Sequence, residues 1–378
     1  MQAAVEESSS RLNHFTRALR SRNYRLFFGG QVVSLVGNFL TATATSWLVY
    51  RLTGSELKLG LIAFVGQFPT FLVAPFAGVW VDRLPLRKVL VITQALAMVQ
   101  SVGLAIAVFA GFVSFPLLMF LALFQGVINA FDIPARQAFV VQMLEDRRDL
   151  PNAIALNSSI VNAARLIGPS MAGLLIQLIG ETGNGEAWCF AMDGLSYVGV
   201  ILALLAMKLV PRAQIAEHPP VMFALKEGFA KSFGFPPIRN VLLLMSLVSL
   251  AGAPYLTLMP VFAKQILHGG SMLFGILNGA AGFGALGGAI YLASRKSVVG
   301  ISRALALAAA TFGVTLVLFS FSRNAALSVA LMPIAGASMI IQMAGSNTLL
   351  QTLTEDQYRG RVMAMFAMCF MGTVPIGA

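Results

Sequence analysis

The chain has 378 residues, of which 57% are hydrophobic and only 11% are charged. Soluble domains carry about a quarter charged residues, so this composition predicts an integral membrane protein. Lys and Arg outnumber Asp and Glu by 26 to 15, which gives a net charge of +11. A basic chain could bind nucleic acid, but these bases are concentrated in alternate loops between apolar runs. That placement follows the positive-inside rule of membrane proteins, so we predict no nucleic-acid partner.

Apolar runs of about 20 residues, the length that crosses a bilayer, recur along the chain and predict an all-α, polytopic membrane protein. The predicted spans are 25–50, 57–81, 89–110, 116–141, 153–179, 187–208, 240–263, 272–294, 301–320 and 325–350, and an eleventh begins near Val362. The one long polar stretch separates two groups of spans, which suggests two homologous bundles. The predicted parts are a cytoplasmic N-terminal tail (1–24), an N-terminal six-helix bundle (25–208), a cytoplasmic linker (209–239) and a C-terminal bundle (240–378) with helices seven to ten and part of eleven.

The loop charges predict the orientation in the membrane. When the N-terminus is placed in the cytoplasm, most bases fall in cytoplasmic loops, as the positive-inside rule requires. The opposite side then holds only Arg51, Lys58, Lys264 and Arg323. We therefore expect a multi-pass protein of the cell membrane (inner or plasma membrane) with a cytoplasmic N-terminus.

Nothing in the sequence suggests a cofactor, a metal site or an enzyme. Cys189 and Cys369 lie in apolar runs, and the three histidines are scattered singly. No Gly-Lys-Ser/Thr phosphate loop occurs. Residues 282–287 match a dinucleotide fingerprint letter by letter, but they lie in an apolar run with no strand before them and favour close helix packing instead. Without a phosphate loop the chain does not hydrolyse nucleotide by that route, so the energy for any work that it performs must come from a gradient or a partner.

A short charged segment, residues 78–88, joins the second and third spans. It resembles the loop between the second and third helices of the major facilitator superfamily of transporters, although Pro85 and Leu86 depart from the usual pattern. The resemblance implies that this loop gates the cytoplasmic side, its acid working against the start of helix eleven. The gating residues would be Gly78, Asp82, Arg83, Arg87 and Lys88. The alternative is a simple positive-inside anchor.

The fifth span contains Gly168, Pro169 and Gly173, which resemble the antiporter motif of the same superfamily. Pro169 removes a backbone donor and bends the helix, and the small residues permit close contact with a neighbouring helix. The resemblance implies an exporter in which this helix opens and seals one side of a central cavity. A kink that serves packing alone is the alternative.

The acids Asp132 and Asp193 and the base Arg165 fall within predicted spans, and Asp132 and Arg165 are candidates for proton coupling. A base in mid-membrane, such as Arg165, costs about 2.5–3.5 kcal/mol and should have a partner. We expect that partner to be Asp132, although Asp132 could instead pair with Arg136 one turn on. Residues 125–130 resemble a further superfamily motif, but Ala122 stands where the family has an arginine associated with proton coupling. Asp132 is then the best remaining candidate for the proton carrier, because burial favours a protonated carboxyl.

Polar or aromatic residues in otherwise apolar spans are candidates for the substrate path. These candidates are Asn38, Thr41, Gln125, Asn129, Tyr255 and Gln342. Each could instead bridge two helices through a hydrogen bond.

Several longer stretches are similar to one branch of the superfamily, the third drug:proton antiporter group of enterobactin exporters and macrolide-efflux proteins. They are 22–27, 47–55, 132–138, 152–157 and 359–363. The resemblance implies a major facilitator fold of two six-helix bundles, here truncated within helix eleven. It also implies export of a small amphiphilic molecule (a siderophore, a macrolide or another drug) by proton antiport with alternating access, with protons and membrane lipids as further partners. A lipid or lysolipid translocator and a truncated, non-transporting membrane protein are the alternatives.

Overall fold

The structure is a computed structural model that describes residues 17–180, 184–209, 229–252, 254–295, 297 and 299–377, apart from some helical side chains, among them those of 78–83 and 359–361. The described residues are almost entirely helical. After a 3₁₀ turn at Arg17–Arg20, the helices are α1 (Arg22–Thr53), α2 (Glu56–Arg83), α3 (Leu86–Phe109), α4 (Phe115–Met143), α5 (Leu150–Ile179), α6 (Asn184–Ala206), α7 (Pro236–Gly252), α8 (Pro254–Val261), α9 (Ser271–Ser294), α10 (Ile301–Phe321), α11 (Ala325–Leu353) and α12 (Asp356–Gly377).

Within the described residues, ten helical stretches are long and apolar enough to cross a bilayer. They coincide with the ten predicted spans, so the all-α, polytopic fold is confirmed. The seventh span contains α7, α8 and a π-helical turn at Phe262–Ile266 that follows α8. The predicted eleventh span corresponds to α12.

Local sequence explains where several helices begin and end. Gly54 ends α1 with a φ of 57°, in the left-handed region that glycine adopts without strain, and its N–H donates to the carbonyl of Tyr50. Asn324 begins α11, because its Oδ1 accepts from the N–H groups of Ala326 at 2.9 Å and Leu327 at 3.2 Å. Such caps pair groups that a helix end leaves unsatisfied, so short loops can return the chain into the membrane.

Short loops join the first six helices, so these helices cross the membrane in alternating directions. We call the side where α1 begins at Arg22 the near face; α2 and α3 meet there at residues 84–85. The opposite side is the far face, where α1 and α2 meet at residues 54–55.

Most helix contacts lie within two groups. In the first group α1 packs against α5 and α6, α2 against α4, and α3 against α4 and α6. In the second group α11 packs against α9 and α10, and α12 against α7. The groups meet where α5 lies along α9 and where α2 lies along α12. The boundaries predicted for the bundles and the linker stay a prediction, since 210–228 lie outside the described residues.

Buried apolar residues tie the two groups together in the far half of the molecule. One cluster contains Trp47 and Phe190 of the first group together with Met259 and Phe274 of the second. The rings of Trp47 and Phe274 stack with their centroids 5.6 Å apart. In the near half, the described residues form two separate clusters, one from the first six helices and one from α7, α11 and α12. Within the described part of the chain, the two groups therefore share an apolar core only in the far half.

Candidate functional site

Two adjoining cavities occupy the middle of the molecule. The first-half cavity, of about 720 Å³, is walled by α1 to α6 and the start of α8. The interface cavity, of about 300 Å³, lies between α1 and α5 on one side and α8, α9 and α11 on the other. The residues that line both are Phe39, Ala42, Ser46 and Leu256. Both volumes fall within the roughly 300–1,000 Å³ typical of small-molecule sites.

Five of the six predicted path residues line these cavities. Asn38, Thr41, Gln125 and Asn129 line the first-half cavity, and Tyr255 lines the interface cavity. Some of them also bridge side chains, as the alternative interpretation allowed: Tyr197 donates to Asn38 at 2.7 Å, and Gln125 donates to Asn129 at 3.1 Å. Their contact with a substrate stays a prediction.

The sixth candidate, Gln342, lies outside both cavities. Its side chain is 1% exposed and borders a void of about 10 Å³ among α7, α10, α11 and α12. Such a void has room for a single water molecule at most. Neither amide atom of Gln342 has a hydrogen-bond partner among the described residues.

Sequence reasoning missed several amide side chains that line the cavities. They are Gln67, Gln94, Gln100, Gln137, Asn157 and Asn278. The signal that could have found them is the one used for Gln125, an amide in an otherwise apolar helix, which costs free energy unless it is paired or faces water.

Asp132 is satisfied entirely inside the first group of helices. It is 2% exposed, and its Oδ1 accepts hydrogen bonds from Thr93 and Gln94 of α3, each at 2.8 Å. Its Oδ2 forms an ion pair with Arg136, one turn further along α4. The expected pair with Arg165 is therefore wrong. Arg136 is available one helical turn away, where the two side chains of an i, i+4 pair already lie side by side.

A second carboxyl, Asp193, lines the first-half cavity near the middle of α6. It is 1% exposed, and Ser101 of α3 donates to its Oδ2 at 2.7 Å. Its Oδ1 faces the backbone of Gly37 on α1, where a Cβ would lie only 2.5 Å away. Within the described residues this oxygen has no hydrogen-bond partner.

Arg165 lies in the interface cavity rather than beside Asp132. Its guanidinium carbon is 5.9 Å from the centre of the Phe39 ring, and Tyr255 lines the same cavity. A base in mid-membrane costs about 2.5–3.5 kcal/mol, whereas a cation–π contact returns about 0.5–2 kcal/mol. Among the described residues, no acidic side chain lines this cavity and none forms an ion pair with Arg165.

Gly168, Pro169 and Gly173 bring α5 into backbone contact with two other helices. A Cβ at Gly168 would lie 2.6 Å from that of Phe39 on α1, and one at Gly173 would lie 2.8 Å from the Cα of Gly275 on α9. Pro169 lines the interface cavity. The close packing that the small residues predict is therefore present, and their role as a gate stays a prediction.

The charged loop at the near face is described only in part. Arg87 donates to the carbonyls of Leu205 and Met207, so it caps the near-face end of α6, where the helix dipole favours a cation. Lys88 is exposed. The surroundings of Gly78 and the side chains of Asp82 and Arg83 lie outside the described part of the chain. So do the side chains of 359–361 at the start of helix eleven (359–362), against which Asp82 was predicted to work.

The first-half cavity is closed toward the far face and reaches the near face. Leu59 and Leu118 line its far end and belong to the apolar cluster that both groups of helices share. Asn157 and the exposed Gln137 line it toward the near face. Within the described part of the chain, a solute would therefore enter from the near face.

Bilayer-length helices in two groups around a central, partly polar cavity are the architecture of a secondary transporter. The chain belongs to the major facilitator family of transmembrane secretion effectors, which it matches over residues 15–378. This membership confirms the resemblance drawn from the charged loop and the Gly-Pro segment, and with it the prediction of a membrane transporter rather than an enzyme.

Two characterised relatives cover most of the chain. It is 23% identical over 359 residues to the staphyloferrin A transporter of Staphylococcus aureus (strain NCTC 8325 / PS 47), and the matched region covers 94% of this chain and 87% of that protein. It is 25% identical over 349 residues to the multidrug efflux pump Tap of Mycolicibacterium fortuitum, and the matched region covers 90% of this chain and 84% of that protein.

Solved structures show the same fold. A bacterial homologue of the iron transporter ferroportin in an inward-facing state matches with a TM-score of 0.71 at 16% identity, over 94% of this chain and 90% of that one. A bacterial homologue of the human lysosomal transporter Spinster matches with a TM-score of 0.68 at 16% identity, over 95% and 81%.

Proposed function

We propose that the protein exports a small amphiphilic molecule, such as a siderophore, a macrolide or another drug, across the cell membrane by alternating access. The observation that carries this proposal is the pair of adjoining central cavities, which the described residues close toward the far face and leave open toward the near face. Their walls combine amides with aromatic and aliphatic side chains, which suits an amphiphile. The names of two relatives, a siderophore transporter and a multidrug efflux pump, agree with this class of substrate.

In this proposal the near face is the cytoplasmic face, because the bases of the charged loop and of the other near-face loops follow the positive-inside rule. The described conformation is then open to the cytoplasm, which is the state in which an exporter loads its substrate. In the opposite state the stack of Trp47 on Phe274 would separate, and the charged loop of residues 78–88 would close the near face.

Proton antiport through Asp132 would drive export. In the cytoplasm-open state Asp132 forms an ion pair with Arg136 in the wall of the first-half cavity. Protonation from the far side would neutralise Asp132 and free the Arg136 guanidinium in the cavity wall. The charge of the wall would thus alternate with the direction in which the cavity opens.

The test uses inside-out vesicles with an imposed pH gradient and three probes that share one fluorophore. These are dansyl-glycine (anionic), dansyl amide (neutral) and dansylcadaverine (cationic). We expect at least one probe to accumulate only while the gradient is present. The substitution Asp132→Asn should remove accumulation against the gradient but leave downhill equilibration in place, because only the coupling group is lost.

Asp193→Asn is the matched control, since Asp193 is an equally buried carboxyl with no base partner among the described residues. The proposed coupling is wrong if Asp132→Asn still accumulates the probe, or if Asp193→Asn alone abolishes the response to pH. Movement of a labelled lysolipid between leaflets, with no movement of the three probes, would favour a lipid translocator instead.

A further inference from the structure

We propose that the interface cavity binds an anionic group of the transported molecule and that Arg165 is the residue that binds it. This inference rests on the proposed function, because it names the class of substrate for the same site. The substrate would be an amphiphile that carries a carboxylate or a similar anion, rather than a cationic drug.

No acidic side chain among the described residues compensates the charge of Arg165 in this conformation. Its guanidinium has five N–H donors and lies beside the ring of Phe39. Asp132, the acid expected to neutralise it, is held by Arg136 instead. Among the described residues, no Asp or Glu lines the interface cavity. A cation that faces an apolar cavity without a counterion provides a site for an anion, and a planar guanidinium matches a carboxylate with two parallel hydrogen bonds.

The acids elsewhere in the site offer little to a cationic ligand. Both oxygens of Asp132 are already occupied. Its Oδ1 accepts hydrogen bonds from Thr93 and Gln94, and its Oδ2 forms the ion pair with Arg136. Asp193 is 1% exposed, accepts from Ser101 and abuts the backbone of Gly37. A cation entering the two cavities would meet the guanidinium of Arg165, whereas the one carboxylate oxygen of Asp132 and Asp193 that has no hydrogen-bond partner among the described residues, Oδ1 of Asp193, faces the backbone of Gly37. Arg165 is the one charged side chain among the described residues that line the interface cavity, so the charge of that cavity favours an anion.

The remaining walls fit the apolar body of an amphiphile. Phe39, Phe274 and Leu256 line the interface cavity around the guanidinium. Phe39 and Leu256 also line the larger first-half cavity, so the body of the molecule can extend there while its anionic group stays at Arg165. The aromatic Tyr255 lies on the opposite side of the interface cavity, in the second group of helices.

Arg165 also lies where the two groups of helices meet, so binding can be coupled to movement. A Cβ at Gly282 of α9 would lie 2.7 Å from the carbonyl oxygen of Arg165. Asn278 of α9 lines the same cavity. An anion held at Arg165 would therefore be contacted from both groups, and any change in their relative position would alter its affinity.

The experiment measures binding of dansyl-glycine, dansyl amide and dansylcadaverine to the purified full chain in lipid nanodiscs. Energy transfer from tryptophan reports occupancy, because Trp47 stacks on Phe274, a residue of the cavity wall. We expect dansyl-glycine to bind about tenfold more tightly than either other probe, as for a bidentate charge-assisted hydrogen bond. This preference is measured on the wild-type protein and needs no variant.

The variant Arg165→Gln should weaken dansyl-glycine by about tenfold and leave dansyl amide within about twofold. Arg165→Lys should fall between the two, since it keeps the charge but loses the planar fork. Arg323→Gln is the matched control, because Arg323 is a base on the exposed far-face loop, away from both cavities.

The inference is overturned if dansylcadaverine binds more tightly than dansyl-glycine, or if Arg165→Gln weakens all three probes alike. Its failure can be told apart from failure of the proposed function. Gradient-driven accumulation of dansylcadaverine without binding of dansyl-glycine would leave export standing and reject the anion site. Arg165-dependent binding of dansyl-glycine without accumulation of any probe would keep the anion site and reject export.

Discussion

The buried amide of Gln342 on α11 makes a prediction about stability. Both of its side-chain polar atoms are buried without partners in the described part of the chain. An unpaired buried polar group costs about 1–3 kcal/mol. We therefore expect Gln342→Met, which preserves length and removes the polar atoms, to raise the free energy of unfolding by about that amount. The midpoint of thermal unfolding of the purified protein measures this change.

Gln100→Met is the control for that substitution, because both amide atoms of Gln100 have partners: its Nε2 donates to the carbonyl of Leu121, and its Oε1 accepts from Ser101. The control should lower the unfolding midpoint or leave it unchanged. If Gln342→Met instead abolished transport while the protein stayed folded, Gln342 would contact the substrate in another conformation, as its sequence context predicted.

Residue partners were predictable only where helical geometry is local. The sequence restricts Asp132 to two bases, Arg136 one turn on and Arg165 on the next span. Choosing between them requires the rotation and depth of two separate helices, which an apolar pattern does not specify. The i, i+4 neighbour needs neither, because a single helix already places it alongside.

At the scale of helices, the contact between α5 and α9 depends on glycines. A Cβ at Gly275 would lie 2.8 Å from both the Cα of Gly173 and the carbonyl oxygen of Pro169. We expect Gly275→Ala to lower the free energy of unfolding by about 1–3 kcal/mol, the usual cost of overpacking. Transport should slow as well, because the same surface has to shift between conformations.

The same helix supplies the matched control. Gly287 has no atom within 4 Å of its ideal Cβ position. Gly287→Ala should therefore be neutral or raise stability by about 0.5–1 kcal/mol through helix propensity alone. Equal losses from both alanine substitutions, measured as unfolding midpoints in lipid nanodiscs, would show that α5 and α9 do not pack as described.

Helix positions could be predicted well, and helix neighbours could not. The runs are recognisable because every bilayer crossing needs about 20 apolar residues. The π turn that follows α8 falls inside one apolar run, so hydropathy does not reveal it. Glycine spacing in α9 indicates close packing, but the partners differ along the helix. Gly275 faces α5, whereas Gly288 faces Ala337 of α11.

At the scale of the whole molecule, the fold follows from the repeated spans and the two recognisable motifs, whereas the open face does not. Which face is open depends on small differences between two sets of contacts made by the same helices. The shared apolar cluster around Trp47 and Phe274 decides it in this conformation. Most of its members resemble lipid-facing residues in the sequence, because any buried apolar residue in a membrane helix has the same composition signal.

The described residues close the first-half cavity toward the far face and leave it open toward the near face, which predicts the positions that a reagent can reach. In a Cys369→Ser background, Asn157→Cys lies on the wall of the first-half cavity and Asn184→Cys lies exposed at the far-face start of α6. The remaining thiol, Cys189, is 0% exposed. A membrane-impermeant maleimide should label Asn157→Cys from the cytoplasmic side alone, in inside-out vesicles, and Asn184→Cys from the opposite side alone, in right-side-out vesicles. Labelling of Asn157→Cys from the far side would mean that the cluster around Trp47 does not seal the cavity. If the two labelling patterns were exchanged, the orientation in the membrane would be the reverse of the proposed one and the cavity would open to the outside. That result would contradict loading from the cytoplasm.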